Sequence, residues 1–390
     1  MIELPPARLK AALALGGLRL DPQARAQGIP ASETIELELP RRLVVSARIA
    51  DGDTTPYVLT TRGGRSFVEG PNRDTPAVPV AWGRTPRFYE RPTSQGTPMG
   101  TIGTMRGRHL VVSPGGACGF SVRGTPCPFC LEGARATTGR AGGMHATEVV
   151  EVVRAAVAEC TVEAVYLNSC AFDAEDGGIA FLAPYVEAVR RHVDTLIAVQ
   201  VHPPATTAWV DRTYAMGVDA VSYNLEIFDS DVLLRQCVGR ARYIGRERYL
   251  ETLRYAARIF PNGAVWSELV CGIEPPDSTR AGIEALAAMG VVPVLVLPRT
   301  AAAAANGHLL DDVDGLLTHL AATVTDCGVN AGWVHGLPSA ISPAEAGASA
   351  SWTSTVQFLQ RRRLGAFVLR NLARTRRRLR VRSPEPSDVH

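Results

Sequence analysis

From residue 109 onward, short apolar runs alternate six times with longer stretches of helical periodicity. The runs are HLVVS (109–113), AVYLN (164–168), TLIAVQV (195–201), DAVSYNLE (219–226), AVWSELVCGIE (264–274) and VVPVLVLP (291–298). Between and after them lie HATEVVEVVRAAVAEC, IAFLAPYVEAVRRH, ATTAWVDRTYAMG, a stretch around 246–260, DSTRAGIEALAAMG and LLDDVDGLLTHLAATVTDCG. Short, largely apolar runs suit parallel strands covered on both faces. Parallel neighbours need crossovers long enough for a helix, and these spacings supply them. The expected fold class is α/β, a partial (β/α)6 TIM-like barrel over residues 109–330.

The flanks read differently. Residues 1–108 suggest a small β-rich accessory region. ETIELELP, RLVVSARI and YVLTTR look like strands separated by the turn sequences DGDTTP and RGGR. The Pro/Gly/Arg-rich passage WGRTPRFYERPTSQGTPMGTIGTMRGR then serves as a linker or wrapping segment, and the region carries no catalytic signature. Residues 331–390 form a C-terminal extension. Its Trp352, Val356, Leu359, Leu364, Phe367, Val368 and Leu372 recur at helical spacing, which predicts a basic amphipathic helix over 352–379.

Charge is unevenly placed. The chain has 40 arginines and one lysine, Lys10, and a formal net charge of +3. Residues 361–382 hold ten arginines and no acid, so the remainder is net negative. The basic tail docks on the body or offers a surface attracted to anionic membrane lipid. Nucleic acid is the weaker partner, since no aromatics interleave with the last arginine runs to stack on bases. No apolar run reaches the roughly 18–20 residues that span a bilayer. The opening MIELPPARLK lacks the apolar stretch of a secretory signal, so a cytoplasmic protein is expected. In that compartment cysteines stay reduced, and a cluster of them reads as metal-binding or catalytic before it reads as disulfides.

Such a cluster follows the first predicted strand. CGFSVRGTPCPFC places Cys118, Cys127 and Cys130 at C-x8-C-x2-C spacing. Thiolates are soft ligands for zinc, copper(I) or iron–sulfur clusters. Structural zinc usually takes four ligands in two close pairs. Here there is one close pair, and His145 is the nearest downstream histidine. A zinc-stabilised binding module, with a basic helix for nucleic acid or membrane, is the alternative reading. A four-iron cluster normally takes four thiolates; three leave one iron open to a small molecule. In parallel βα units the functional residues gather at strand C-termini. That rule singles out Asn168, Ser169, Cys170, His202, Asn224, Glu226, Glu274, Pro298 and Arg299 beside Cys118.

Taken together, these residues resemble the radical S-adenosylmethionine superfamily, in particular its biotin synthase and lipoyl synthase-like members. The usual cluster motif is C-x3-C-x2-C with an aromatic before the last cysteine, the position of Phe129; the first gap here is longer. AEDGG (174–178) is similar to the Gly-Gly segment that contacts the methionine amino group, which implies that role for Gly177 and Gly178. YNLE (223–226) resembles the polar pair that holds the ribose, implying Asn224 and Glu226. GRARYIGRERYLETL resembles the arginine-bearing segment that pairs with the cofactor carboxylate, with Arg242 and Arg246 as candidates. The resemblance covers roughly residues 105–300. It implies a [4Fe-4S] cluster on Cys118, Cys127 and Cys130, S-adenosyl-L-methionine as cofactor, and an electron donor such as flavodoxin or ferredoxin. It also implies hydrogen abstraction from a small organic substrate, leading to methylation, rearrangement or oxidative bond formation.

Cys170, Cys271 and His202 are the candidate catalytic residues, because they sit at strand ends facing the supposed site. Cys160, Cys237 and Cys327 read as small buried hydrophobes. Ser267 and Glu268, adjacent on one strand, cannot both point inward.

Overall fold

The computed structural model describes residues 5–26, 33–50, 54–71, 76–83, 85–115, 118–130, 143–170, 175–298, 309–332 and 334–350, and positions 364, 367, 368, 371 and 375 of the C-terminal segment. The chain is α/β. Among the described residues no helix is long and apolar enough to cross a membrane.

The first region pairs one helix with a sheet. Helix α1 (Pro6–Gly16) starts on a proline, whose fixed φ suits the first helical turn. Strands β1 (Arg19–Leu20), β2 (Thr34–Leu39), β3 (Leu43–Arg48), β4 (Val58–Arg62), β5 (Arg65–Glu69) and β6 (Val78–Trp82) form a sheet in the order β1-β4-β5-β6-β2-β3. Helix α2 (Pro22–Ala26) links β1 to β2. In β2 the TIELEL alternation buries Ile35, Leu37 and Leu39 and leaves Glu36 and Glu38 less buried.

The second sheet has eight strands in sequential order. These are β7 (Gly103–Arg106), β8 (His109–Val112), β9 (Ala164–Asn168), β10 (Leu196–Gln200), β11 (Ala220–Ser222), β12 (Val265–Val270), β13 (Val292–Val296) and β14 (Ala340–Ile341). β8 to β13 are parallel, while β7 and β14 add antiparallel edges. The sheet therefore reaches past 109–330 at both ends.

The intervening helices are α3 (Gly119–Val122), α4 (Ala146–Glu159), α5 (Ile179–His192), α6 (Ala208–Ala215), α7 (Ser230–Gln236), α8 (Val238–Tyr243), α9 (Arg246–Ile259), α10 (Pro276–Ala288), α11 (Leu309–Asp326) and α12 (Pro343–Ala350). In α4 the spacing of Val149, Val152, Val153 and Ala156 makes one apolar stripe, and all four are buried. His145, the histidine of the zinc alternative, stands at the N-cap of α4 with its backbone N–H on Glu148 Oε2 at 3.2 Å.

Register assigns the faces of the large sheet. Val165, Leu167, Ile197, Val199, Val221, Val265 and Leu269 face one way and are buried. The other face carries Tyr166, Asn168, Ala198, Gln200, Ala220, Ser222, Trp266 and Glu268. The Tyr166 and Trp266 rings lie 5.7 Å apart although two strands separate β9 from β12. The sheet must curl to bring them together, so this second face is concave. Ala198 and Ala220, level with Tyr166, leave the room its ring needs.

The two regions are tied by the only lysine. Lys10 on α1 is fully buried and donates to Glu345 Oε1 and to the Leu337 carbonyl, each at 2.9 Å. Glu345 also accepts from the backbone N–H groups of Gly336 and Ser342.

The C-terminal segment is helical at its five described positions, and Leu364, Phe367 and Val368 are exposed there. Trp352, Val356, Leu359 and Leu372 lie outside the described residues, as does Arg299.

Candidate functional site

After β8 the chain enters the cysteine loop at the C-terminal edge of the parallel strands. Cys118 occupies the N-cap of α3, its carbonyl accepting from Val122 N at 2.9 Å. Thr125 N returns to Phe120 O at 2.7 Å, and a turn joins Cys130 N to Cys127 O at 3.2 Å. Each of the three cysteines is partly exposed.

The loop lies against the segment that follows β11. Cys127 and Phe129 pack on Ile227, Val232, Leu233 and Cys237, an apolar cluster separate from the main core. Phe120 stacks on Tyr243 and meets His202 edge-on. Gly239 permits the approach: a Cβ there would lie 2.8 Å from Thr125 Oγ1 and 2.9 Å from Phe120.

At the centre is Arg240, only 9% exposed. Its Nε donates to Cys127 Sγ at 3.3 Å, and Nη1 to Asn224 O at 2.6 Å and Tyr249 Oη at 2.9 Å. Its Nη2 pairs with Glu226 Oε1 at 3.1 Å. Burial opposes the cation, but Tyr249, Glu226 and Cys127 more than offset that and raise its pKa. A hydrogen bond with Cys237 lowers the Cys127 thiol, with Arg240 adding to the effect against burial. Burial pushes the Glu226 carboxyl up despite Arg240. Glu226 also adopts φ 71°, a left-handed conformation that non-glycine residues rarely take. Its N–H bonds Glu268 O and its carbonyl accepts from Val270 N, both at 2.8 Å, so β12 holds the bend in place.

His202 follows β10. Its Nδ1 is 3.1 Å from Tyr249 Oη, and burial, then Arg240, pushes its pKa down to about 3. The imidazole is neutral near pH 7. The backbone of His202 donates to Gly177 O at 3.1 Å. Gly177 has φ 66°, and a Cβ there would fall 2.0 Å from His202 O. Gly178 has φ 94° and caps α5, with Asp176 accepting from Gly178 N and Ala180 N.

Above the buried Tyr166 and Trp266, the concave face opens. Val111, Asn168, Gln200, Glu268 and Val296 share this face and are partly accessible. Burial and the neighbouring Glu226 push the Glu268 carboxyl up, while Asn224, Arg240 and Trp266 favour its charged form. Ser267 points to the other face and accepts from Leu225 N at 3.0 Å.

Several expected residues therefore meet: Cys127, Phe129, Asn224, Glu226, His202 and Gly177 join one network or its walls. Others do not. Arg242 is exposed, and Arg246 donates to Phe228 O and pairs with Glu247. The arginine of the site is Arg240. Cys271 follows Val270, which shares the concave face, and lies instead in the main core against the helices, where burial raises its pKa to about 12. Cys170 is half-buried past the end of β9. Among the described residues, no three His, Cys, Asp or Glu side chains are gathered as a metal-binding group. Sequence reasoning missed Arg240, Tyr249 and Tyr166. Arg240 was legible only through its place after Gly239, the one position of VGRARY without a side chain to hold the loop away. No protein-family model matches the chain, and no curated protein matches it in sequence.

Proposed function

We propose that the chain is a radical S-adenosylmethionine enzyme, built on a partial (β/α)6 TIM-like barrel and acting on a small organic substrate. One observation carries this reading. The cysteine loop and the YNLE segment, assigned by resemblance to the cluster and to the cofactor ribose, are bridged by Arg240, which contacts Cys127, Asn224 and Glu226 together. Two motifs 94 residues apart in sequence, from Cys130 to Asn224, converge at the same edge of the sheet.

The donor set suits a thiophilic iron–sulfur centre in its chemistry. Cys118, Cys127 and Cys130 are three partly exposed thiols on one short loop, and Cys127 is biased toward thiolate, the ligating form. Those three residues would hold the cluster. When bound, a four-iron cluster supplies the electron that cleaves the carbon–sulfur bond of S-adenosylmethionine.

The chain's own residues shape the surroundings. Arg240 fixes the loop and neutralises Glu226, leaving the Glu226 carboxylate able to accept from hydroxyl groups with its second oxygen. Phe129 and the Ile227–Leu233 cluster exclude water from one side, and Phe120 with Tyr243 from another. Neutral His202, fixed by Tyr249, offers a hydrogen-bonding nitrogen without adding charge.

The test is anaerobic reconstitution of the full chain with iron and sulfide. Broad visible absorbance, and 5′-deoxyadenosine released on chemical reduction with S-adenosylmethionine, is the expected result. Tight stoichiometric zinc with no cluster would overturn the reading, as would undiminished cleavage after Cys118, Cys127 and Cys130 are all changed to alanine.

A further inference from the structure

We propose that the opening on the concave face, floored by Tyr166 and Trp266 and lined by Glu268 and Asn168, binds a substrate that carries a primary ammonium group. As the substrate class of the enzyme proposed above it rests on that reading, but its test needs neither cluster nor cofactor.

The floor is built, and two of its buried oxygens are left unpartnered. Tyr166 is 4% exposed, yet its hydroxyl has no hydrogen-bond partner. Asn168, one pleat above it on the same face of β9, has a buried Oδ1 that is also without a partner. A buried oxygen left unsatisfied costs about 1–3 kcal/mol. Two on one short strand mark a place where a donor is missing. Glu268 stands one pleat above Trp266, and the Tyr166–Trp266 ring contact shows that β9 and β12 face each other at this depth. Its charge is felt at the Tyr166 hydroxyl, which burial and Glu268 together push up.

Charge decides which donor is missing. Arg240 is the cation of this network, and its hydrogen bonds go to Cys127, Asn224, Tyr249 and Glu226. Glu268 accepts none of them; its own hydrogen bonds come from the uncharged Asn224 and Trp266, and its neighbour Glu226 adds a second carboxyl. His202 is neutral. Arg240 acts on Glu268 only through space, and a ligand cation would supply the direct counter-charge. An ammonium offers three N–H donors from one point, and Tyr166, Asn168 and Glu268 offer acceptors from the two strands, β9 and β12, that face each other here. A guanidinium is a planar fork, and it suits a bidentate carboxylate rather than a tyrosine, an amide and an acid on separate residues.

The experiment uses the full chain without iron or S-adenosylmethionine. Ligand-observed NMR measures binding of 1,4-diaminobutane, benzylamine and n-butylamine, each paired with its hydroxyl analogue. At least one amine is expected to bind about tenfold or more tightly than its analogue, and Glu268→Gln to abolish that preference. Tyr166→Phe and Asn168→Ala keep the charge and remove one acceptor each, and a several-fold loss is expected from either. These two variants also keep the test open if Glu268→Gln fails to fold. Equal binding of amine and alcohol overturns the proposal, as does a preference that survives Glu268→Gln, or no binding by any of the amines. Displacement of the amine by S-adenosylmethionine also overturns it, by assigning the acid to the cofactor. Reconstitution and 5′-deoxyadenosine release, measured separately, report on the enzyme class alone.

Discussion

Arg240 donates to the Cys127 sulfur at 3.3 Å with one nitrogen and pairs with Glu226 at 3.1 Å with another. One guanidinium thus ties the loop after the first parallel strand to the end of the fourth. Arg240 and Glu226 are largely withdrawn from water, where separate charges would be costly. Removing the cation by Arg240→Met leaves Glu226 uncompensated, and its pKa, already raised, rises further. The stability that the carboxyl contributes is present below its ordinary range and lost as pH rises through its folded value. The variant should therefore lose more at about pH 8 than at about pH 5, where only the hydrogen bonds to Asn224 O and Tyr249 Oη are forfeited. Urea unfolding at the two pH values measures the difference, and an equal loss at both would contradict the assignment.

His202 gives the opposite slope. Its folded pKa is lowered to about 3 from 6.5, first by burial and then by Arg240. The neutral ring is the form the fold accepts, so its contribution is complete above the ordinary histidine value and declines as pH falls from 6.5 toward 3. His202→Asn removes that proton uptake. Melting temperature plotted against pH should fall less steeply on the acid side in the variant than in the parent.

Lys10 supplies a third case. It is the only lysine in the chain, it is fully buried, and its partner Glu345 is held by two backbone N–H groups as well. Lys10→Met leaves a buried carboxylate without its cation and should cost about 3–5 kcal/mol. Pairing it with Glu345→Gln should recover part of that loss, because both charges then leave together. Amine-reactive labelling offers a second readout. Lys10 should resist modification in the native protein and react once α1 separates from α12.

How much of this was legible follows from the physics of each element. The six parallel strands announced themselves as apolar runs, because both of their faces are covered. β7 and β14 did not, being edge strands of four and two residues. In GRARYIGRER only the glycine before Arg240 hints at which arginine enters the site. The segment breaks into two helices between Tyr243 and Arg246, and the phase of the first is set by Gly239 docking on Thr125 and Phe120, contacts distant in sequence. Cys271 was misplaced for a related reason. It follows the last strand residue, and register alone decides that Val270 faces the concavity and Cys271 the helices. Tyr166 looked like one more apolar strand residue. Only the curl that brings Trp266 to it exposes its unspent hydroxyl as a feature.

Gly177 provides the sharpest test of how the strand ends are packed. Its φ of 66° costs an L-residue about 1–2 kcal/mol by itself, and an added Cβ would lie 2.0 Å from the His202 carbonyl oxygen. That oxygen is backbone, on a residue whose own N–H is bonded to Gly177 O, so it cannot move without breaking the contact. Gly96 has a similar φ of 80° with nothing near its missing side chain. Gly96→Ala should therefore cost about 1–2 kcal/mol, the conformational part alone. Gly177→Ala should cost on the order of 3–5 kcal/mol, with strain and clash combined. It should also shift the His202 ring away from Tyr249 and weaken any ligand that reaches the mouth between β9 and β10. Guanidinium unfolding of the two variants beside the parent measures the difference. Equal losses would mean that the β9 and β10 loops are not in contact as described.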